Sequence, residues 1–152
     1  MENQNKEFPF PQADDFSKIV LLVNVDDEDK LKDKNKLGKY LGDIVDRQVA
    51  YYLSACQYLG IVDKNKEFTN LGKKIREYDA MRQLVELAKI IVKDDIIGTV
   101  YFYQQMLGIE LDKSDVINIM KEYIEFGSEA MYIRRAQTVT KWIEWILNNS
   151  DQ

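Results

Sequence analysis

A chain of 152 residues, 45% of them apolar, is long enough to close one core of ordinary size or two small units sharing one. Its mean hydropathy of −0.40, with no apolar run near the ~18 residues that span a bilayer, excludes a membrane protein. There is no histidine, one cysteine (Cys56) and a net charge of −5; histidine-based acid–base chemistry, zinc sites and internal disulfides are thereby excluded, and general affinity for nucleic acid is argued against.

Residues 1–12 read as a flexible arm, polar and with Pro9 and Pro11 flanking Phe10. The opening MENQNKEF lacks the basic-then-apolar order of a secretory signal, so a cytoplasmic location is expected. Asp14 or Asp15 caps a helix running to Val25, followed by the charged run Asp26 to Lys36. The acids Asp26, Asp27, Glu28 and Asp29 lack the alternating ligands, central glycine and distal glutamate of a calcium loop. Glu28-Asp29-Lys30 has the letters of a nuclease motif but no apolar strands around it to hold a metal.

From Leu37 to Arg76 the order is helix, turn, helix, ribbon, helix. Leu37, Tyr40 and Leu41 line a short helix ended by Gly42. Asp46 is the expected cap of a second helix, with Val49, Tyr52, Leu53, Cys56 and Leu59 on one face and Gly60 closing it. Ile61-Val62 and Glu67-Phe68-Thr69, about the turn Asp63 to Lys66, predict a β-hairpin, and Thr69 or Asn70 caps the next helix. This is winged helix-turn-helix order, whose second helix is shaped for a DNA major groove. Residues 36–76 hold 8 bases and 4 acids (+4), whereas residues 1–35 carry −4 and residues 77–127 carry −5. The basic segment coincides with the predicted DNA-binding elements.

Beyond Arg76, helices are expected over Met81 to Val92, Ile96 to Leu107 and Val116 to Phe126, with Gly108 and Gly127 as stops. Tyr101, Phe102, Tyr103 and Met106 read as core. A last helix follows Ser128, with Ile133, Ala136, Val139 or Thr140, Ile143 and Ile146 as its inward stripe. The predicted fold class is mainly α with a small β-hairpin: a winged helix-turn-helix domain at 13–78, then a second, degenerate winged-helix-like unit at 79–148 packed on it, and a tail at 149–152.

Two segments, FPFPQADDFSKIVLLVN leading to DRQVAYYLSACQYLGIV, and far downstream YIRRAQTVTKWIEWI, resemble modules of type II restriction-modification proteins. There, tandem winged-helix units recognise DNA, fused to a nuclease or methylase or encoded alone. The likeness runs from Phe8 to Leu147 and is most specific at Arg134, Arg135, Ala136, Thr138, Val139, Trp142, Trp145 and Ile146. It implies a non-catalytic, sequence-recognising DNA module of a restriction-modification or regulatory system. The acidic loop at Asp26 to Asp29 departs from that picture.

The base-contact candidates are Arg47, Gln48, Tyr51 and Ser54, because Arg pairs bidentately with guanine and Gln with adenine. Lys36, Lys39, Lys64 and Lys66 are placed to meet the sugar-phosphate backbone. In the second unit the candidates are Arg134, Arg135, Thr138 and Lys141; the two arginines equally suit bracing the halves by stacking and ion pairs to the acidic 77–127 region. No catalytic residue, metal or cofactor is expected. The expected partners are double-stranded DNA and a nuclease or methyltransferase, with a homodimer as one open assembly. The alternative reading is a protein-interaction adaptor that keeps the core without binding DNA.

Overall fold

The computed structural model describes residues 8–150. Short polar side chains set most helix starts. Asp15 accepts the Ser17 amide (3.0 Å) ahead of α1 (Phe16–Val23), and Asp33 accepts that of Lys36 (3.1 Å) ahead of α2 (Lys34–Tyr40). A 3₁₀ turn, Glu28–Lys32, lies between them, with Asp26 paired to Lys30 at 2.7 Å. Val45, without a side-chain cap, precedes α3 (Asp46–Tyr58), so Asp46 is a first-turn acid rather than the expected cap. Thr69 caps α4 (Asn70–Glu77), Asp79 caps α5 (Ala80–Lys93) and Asp94 caps α6 (Asp95–Tyr101). Asp112 and Asp115 form a reciprocal capping box at α7 (Lys113–Tyr123), and α8 (Glu129–Ser150) completes the chain.

The predicted hairpin does not form, and the winged fold class is overturned: among the described residues there is no strand, only an isolated bridge between Val62 and Phe68. The reason is local. The Ile61 and Val62 amides both turn back to the Cys56 carbonyl (3.0 and 3.3 Å), and the Asp63 carboxylate takes the Asn65 and Glu67 amides (2.8 and 3.0 Å). The Asp63 and Thr69 amides do reach across to the Glu67 and Ile61 carbonyls (2.8 and 2.9 Å), but with the reciprocal Ile61 and Glu67 amides used elsewhere the pairing stops at that one bridge. Among the described residues, the part expected to form a second unit likewise has no strand; it holds the helices α5 to α8 and one further helical turn.

Central to the core is α1, whose Phe16, Ile19, Leu22 and Val23 are fully buried and which packs against α3, α4 and α8. Buried residues on both sides of residue 78 belong to one continuous cluster. Polar contacts join the same parts. Asn24 and buried Gln83 exchange two amide hydrogen bonds at 2.9 Å, and Arg76 donates to the Val23 and Val25 carbonyls (2.5 and 3.0 Å) while lying over the Phe68 ring. Arg76 therefore serves as a C-terminal cap for α1.

Of the expected arm, residues 1–7 lie outside the described residues; Phe10 is buried edge-on against Tyr58, and the Ala13 carbonyl accepts the Trp142 indole N–H at 2.6 Å. Of the expected tail, Asn149 belongs to α8, and residues 151–152 lie outside the described residues. The inward stripe of α8 is Tyr132, Ala136, Val139, Trp142, Ile143 and Ile146, with Ile133 43% exposed instead of buried.

The helix expected through Leu107 also differs. α6 stops at Tyr101 and a π-helical turn, Phe102–Met106, follows, its Leu107 amide reaching the Phe102 carbonyl at 3.1 Å. The widened turn shifts the helical phase, so that Phe102 (50%), Tyr103 (38%) and Met106 (68%) face solvent rather than the core.

Candidate nucleic-acid interface

The pairing of α2 with α3 depends on a glycine. A Cβ at Gly38 would stand 2.7 Å from the Ile44 carbonyl oxygen and 3.2 Å from a Val49 methyl, and the Ile44 amide donates to the Gly38 carbonyl at 3.1 Å. The chain then turns through residues 41–45, with Gly42 and Asp43 both at positive φ. On α3 the apolar spacing buries Val49, Tyr52, Leu53 and Cys56, leaving Arg47, Gln48, Tyr51 and Ser54 on the other side. Burial in apolar surroundings pushes the Cys56 thiol well above its ordinary range, so it is an inert core group.

Arg47 and Gln48 are exposed, Tyr51 and Ser54 half-buried. Arg47 makes no ion pair with Asp43 or Asp46; its Nε donates to the Tyr51 hydroxyl at 2.8 Å, and the guanidinium stands 5.7 Å from that ring. Lys36 and Lys39, on the neighbouring α2, are exposed and form no ion pair among the described residues. The first turn of α3 thus sets exposed Arg47 directly after the exposed acid Asp46, while the outer side of α2 carries Lys36 and Lys39.

The turn bearing Lys64 and Lys66 is different. Lys64 is exposed and Lys66 half-buried at φ +61. A mixed-charge pocket of about 420 Å³ adjoins it, lined by the carboxylates of Glu28, Asp29, Asp63 and Glu67 against Lys32, Lys66 and Lys73. Glu67 is also paired with Lys32 at 3.2 Å. Four acids against three lysines leave little positive potential for phosphates there.

The α8 candidates divide. Arg134 donates to the Asp14 carboxylate (2.9 Å), to the Gln12 carbonyl (2.5 Å) and to Thr138 Oγ1 (3.2 Å). Thr138 is fully buried and donates to the same Asp14 oxygen at 2.7 Å, while Gln137 donates to the other at 2.7 Å. Arg134 and Thr138 therefore lock α8 to residues 12–14 rather than facing a ligand. Lys141 is exposed and 3.8 Å from Glu144. Arg135 is 9% exposed, stacks on Phe126 at 4.8 Å and donates one long bond, 3.4 Å, to the Met131 carbonyl. Its Nε has no partner, and burial together with the Arg134 charge lowers its pKa.

Sequence reasoning missed two features. Buried Tyr58 donates to Asp94, the cap of α6; burial and that carboxylate push its phenol far up. The exposed strip Phe102, Tyr103, Met106, Leu107 and Ile109 was concealed by a periodicity that continues past Tyr101. The nuclease-like Glu28-Asp29-Lys30 lies in the 3₁₀ turn, with Lys30 engaged by Asp26.

Among the described residues, no helix is long and apolar enough to cross a membrane. Comparison with curated proteins and with solved structures finds no match. A family model described as "Domain of unknown function (DUF7226)" matches residues 18–151, and the chain belongs to that family.

Proposed function

We propose that this protein is a non-catalytic DNA-binding module that reads duplex DNA with the first turn of α3, in a restriction-modification or regulatory setting. The observation carrying this reading is the exposure of Arg47 and Gln48 on α3, next to α2 with exposed Lys36 and Lys39, none of the three bases forming a salt bridge among the described residues. Arg47 is the candidate for a guanine edge and Gln48 for an adenine edge. Lys36 and Lys39 supply backbone contacts, and Lys64 and Lys66 add little because of the acids around them. With about three effective phosphate contacts, log K falls with log salt at a slope of about −3.

The test is fluorescence anisotropy with a pool of random duplexes at low salt, followed by sequencing of the retained fraction. Arg47→Ala with Gln48→Ala relaxes sequence preference. Absence of binding at low salt, or an unchanged preference in the double variant, overturns the reading.

A second reading, a protein-interaction adaptor, is favoured by the exposed strip from Phe102 to Ile109. Phe102→Ser with Met106→Ser separates the two: it leaves duplex binding intact and removes association with a protein partner.

A further inference from the structure

Phe102, Tyr103, Met106, Leu107 and Ile109, five large apolar side chains within eight residues, are between 38% and 68% exposed. By the size of such side chains they leave on the order of 500 Å² bare, as much as the largest apolar patch of an ordinary monomer. The core does not use them: α6 buries Ile96, Ile97 and Val100 instead. Nor is the segment loose. The Leu107 amide donates to the Phe102 carbonyl (3.1 Å) and the Ile109 amide to that of Tyr103 (2.9 Å), with Gly108 between them at φ +66. Beside the strip opens a cleft of about 390 Å³, lined by Val92, Gly98 and Thr99 together with Phe102, Tyr103 and Leu107. Such a cleft has room for apolar side chains of a partner, and a fastened strip loses little freedom when it is covered.

The charge around the strip selects the occupant. Residues 94–127 hold 7 acids and 2 bases (−5), and of the two lysines Lys121 is taken by Glu129 at 3.1 Å. Asp95, which lines the cleft, and Glu110, next to Ile109, are exposed and form no ion pair among the described residues. A second copy set strip against strip would oppose these acids to themselves, which is repulsive. A membrane surface is matched by Lys and Arg beside the apolar residues, whereas here Lys93 and Lys113 are outnumbered by acids. We infer that strip and cleft dock a basic amphipathic helix of a partner protein. Its apolar stripe covers Phe102, Met106 and Leu107, and its flanking lysines or arginines meet Asp95 and Glu110. Such docking rests on the adaptor reading and is independent of duplex binding by α3.

The probe is a labelled synthetic helix of about five turns, with leucines in one stripe and lysines elsewhere, followed by fluorescence anisotropy against the full chain. One control peptide carries glutamate in place of lysine, and another carries serine in place of leucine. The lysine–leucine helix binds, and each control binds about tenfold more weakly or less. Phe102→Ser with Met106→Ser weakens the lysine–leucine helix about tenfold. Asp95→Asn with Glu110→Lys leaves the apolar strip in place and weakens it about threefold. All four side chains are exposed, so melting temperatures stay close to that of the wild type and the losses report on docking. Failure of the wild type to bind, equal binding of the glutamate control, or equal binding by both variants overturns the basic helix as occupant. Sedimentation of the chain alone and flotation with phosphatidylcholine vesicles read the other occupants. A dimer dispersed by Phe102→Ser with Met106→Ser, without helix binding, overturns the basic helix but leaves the adaptor reading standing. Vesicle binding alone, or no association of any kind, overturns both.

Discussion

Replacing Asp14 by alanine tests how α8 is locked to the beginning of the chain. The Asp14 carboxylate accepts three side-chain hydrogen bonds, from Arg134, Thr138 and Gln137. They differ in worth. Gln137 is exposed and contributes almost nothing; the Arg134 pair, with side chains 35% and 24% exposed, contributes about 1 kcal/mol. The Thr138 hydroxyl is 0% exposed and loses a charged acceptor, which costs about 2 kcal/mol. The total is about 3 kcal/mol, or about 6 to 12 °C in melting temperature for a chain of this length. Urea unfolding followed by tryptophan fluorescence reads it, because the Trp142 indole is bonded to the adjacent Ala13 carbonyl. Combining Asp14→Ala with Thr138→Val should give a coupling of about 1.5 kcal/mol, since both remove the same bond. A loss below 1 kcal/mol for Asp14→Ala, or strict additivity in the pair, would refute the lock and return Arg134 and Thr138 to the pool of ligand-facing groups.

Two further outcomes follow from the packing. A Cβ at Gly72 would lie 2.2 Å from the Ile61 carbonyl oxygen, and one at Gly98 2.2 Å from that of Val92, whereas one at Gly127 meets open space. Gly72→Ala and Gly98→Ala are expected to cost more than about 3 kcal/mol in urea unfolding and Gly127→Ala less than about 1; equal losses at all three would contradict the close helix approaches. At alkaline pH the folded chain keeps Cys56 and Tyr58 protonated, since both pKa values are raised, while the unfolded chain releases those protons. Stability is therefore full below the ordinary thiol value of 9.0 and falls as pH rises past it and past the ordinary phenol value of 10.0. Urea midpoints measured between pH 7 and 11 should show the decline, with a later onset in Cys56→Ala; a flat profile, or an onset unmoved in that variant, would count against these assignments.

Read from the sequence alone, the helices and some of their starts were legible, because capping is local: of the pairs Asp14 or Asp15 and Thr69 or Asn70, Asp15 caps α1 and Thr69 caps α4, whereas the expected Asp46 does not cap α3. The front of α3 was legible for the same reason, since helical spacing that buries Val49, Tyr52, Leu53 and Cys56 must turn Arg47 and Gln48 outward. The hairpin was not. Its residue types favour strands, but the Asp63 carboxylate and the Cys56 carbonyl compete for the amides a ladder needs, and that competition is visible only in three dimensions.

The fates of the basic residues were decided by the tertiary structure as well. In sequence, Arg76, Arg134 and Arg135 are equivalent positive charges. In the fold, Arg76 caps α1, Arg134 is held by Asp14 and a backbone carbonyl, and Arg135 is buried without a counter-ion. Local spacing determines which face of a helix a side chain occupies. Which partner waits on that face depends on segments far away in the chain, 122 residues for Arg134 and Gln12, and no local pattern encodes it.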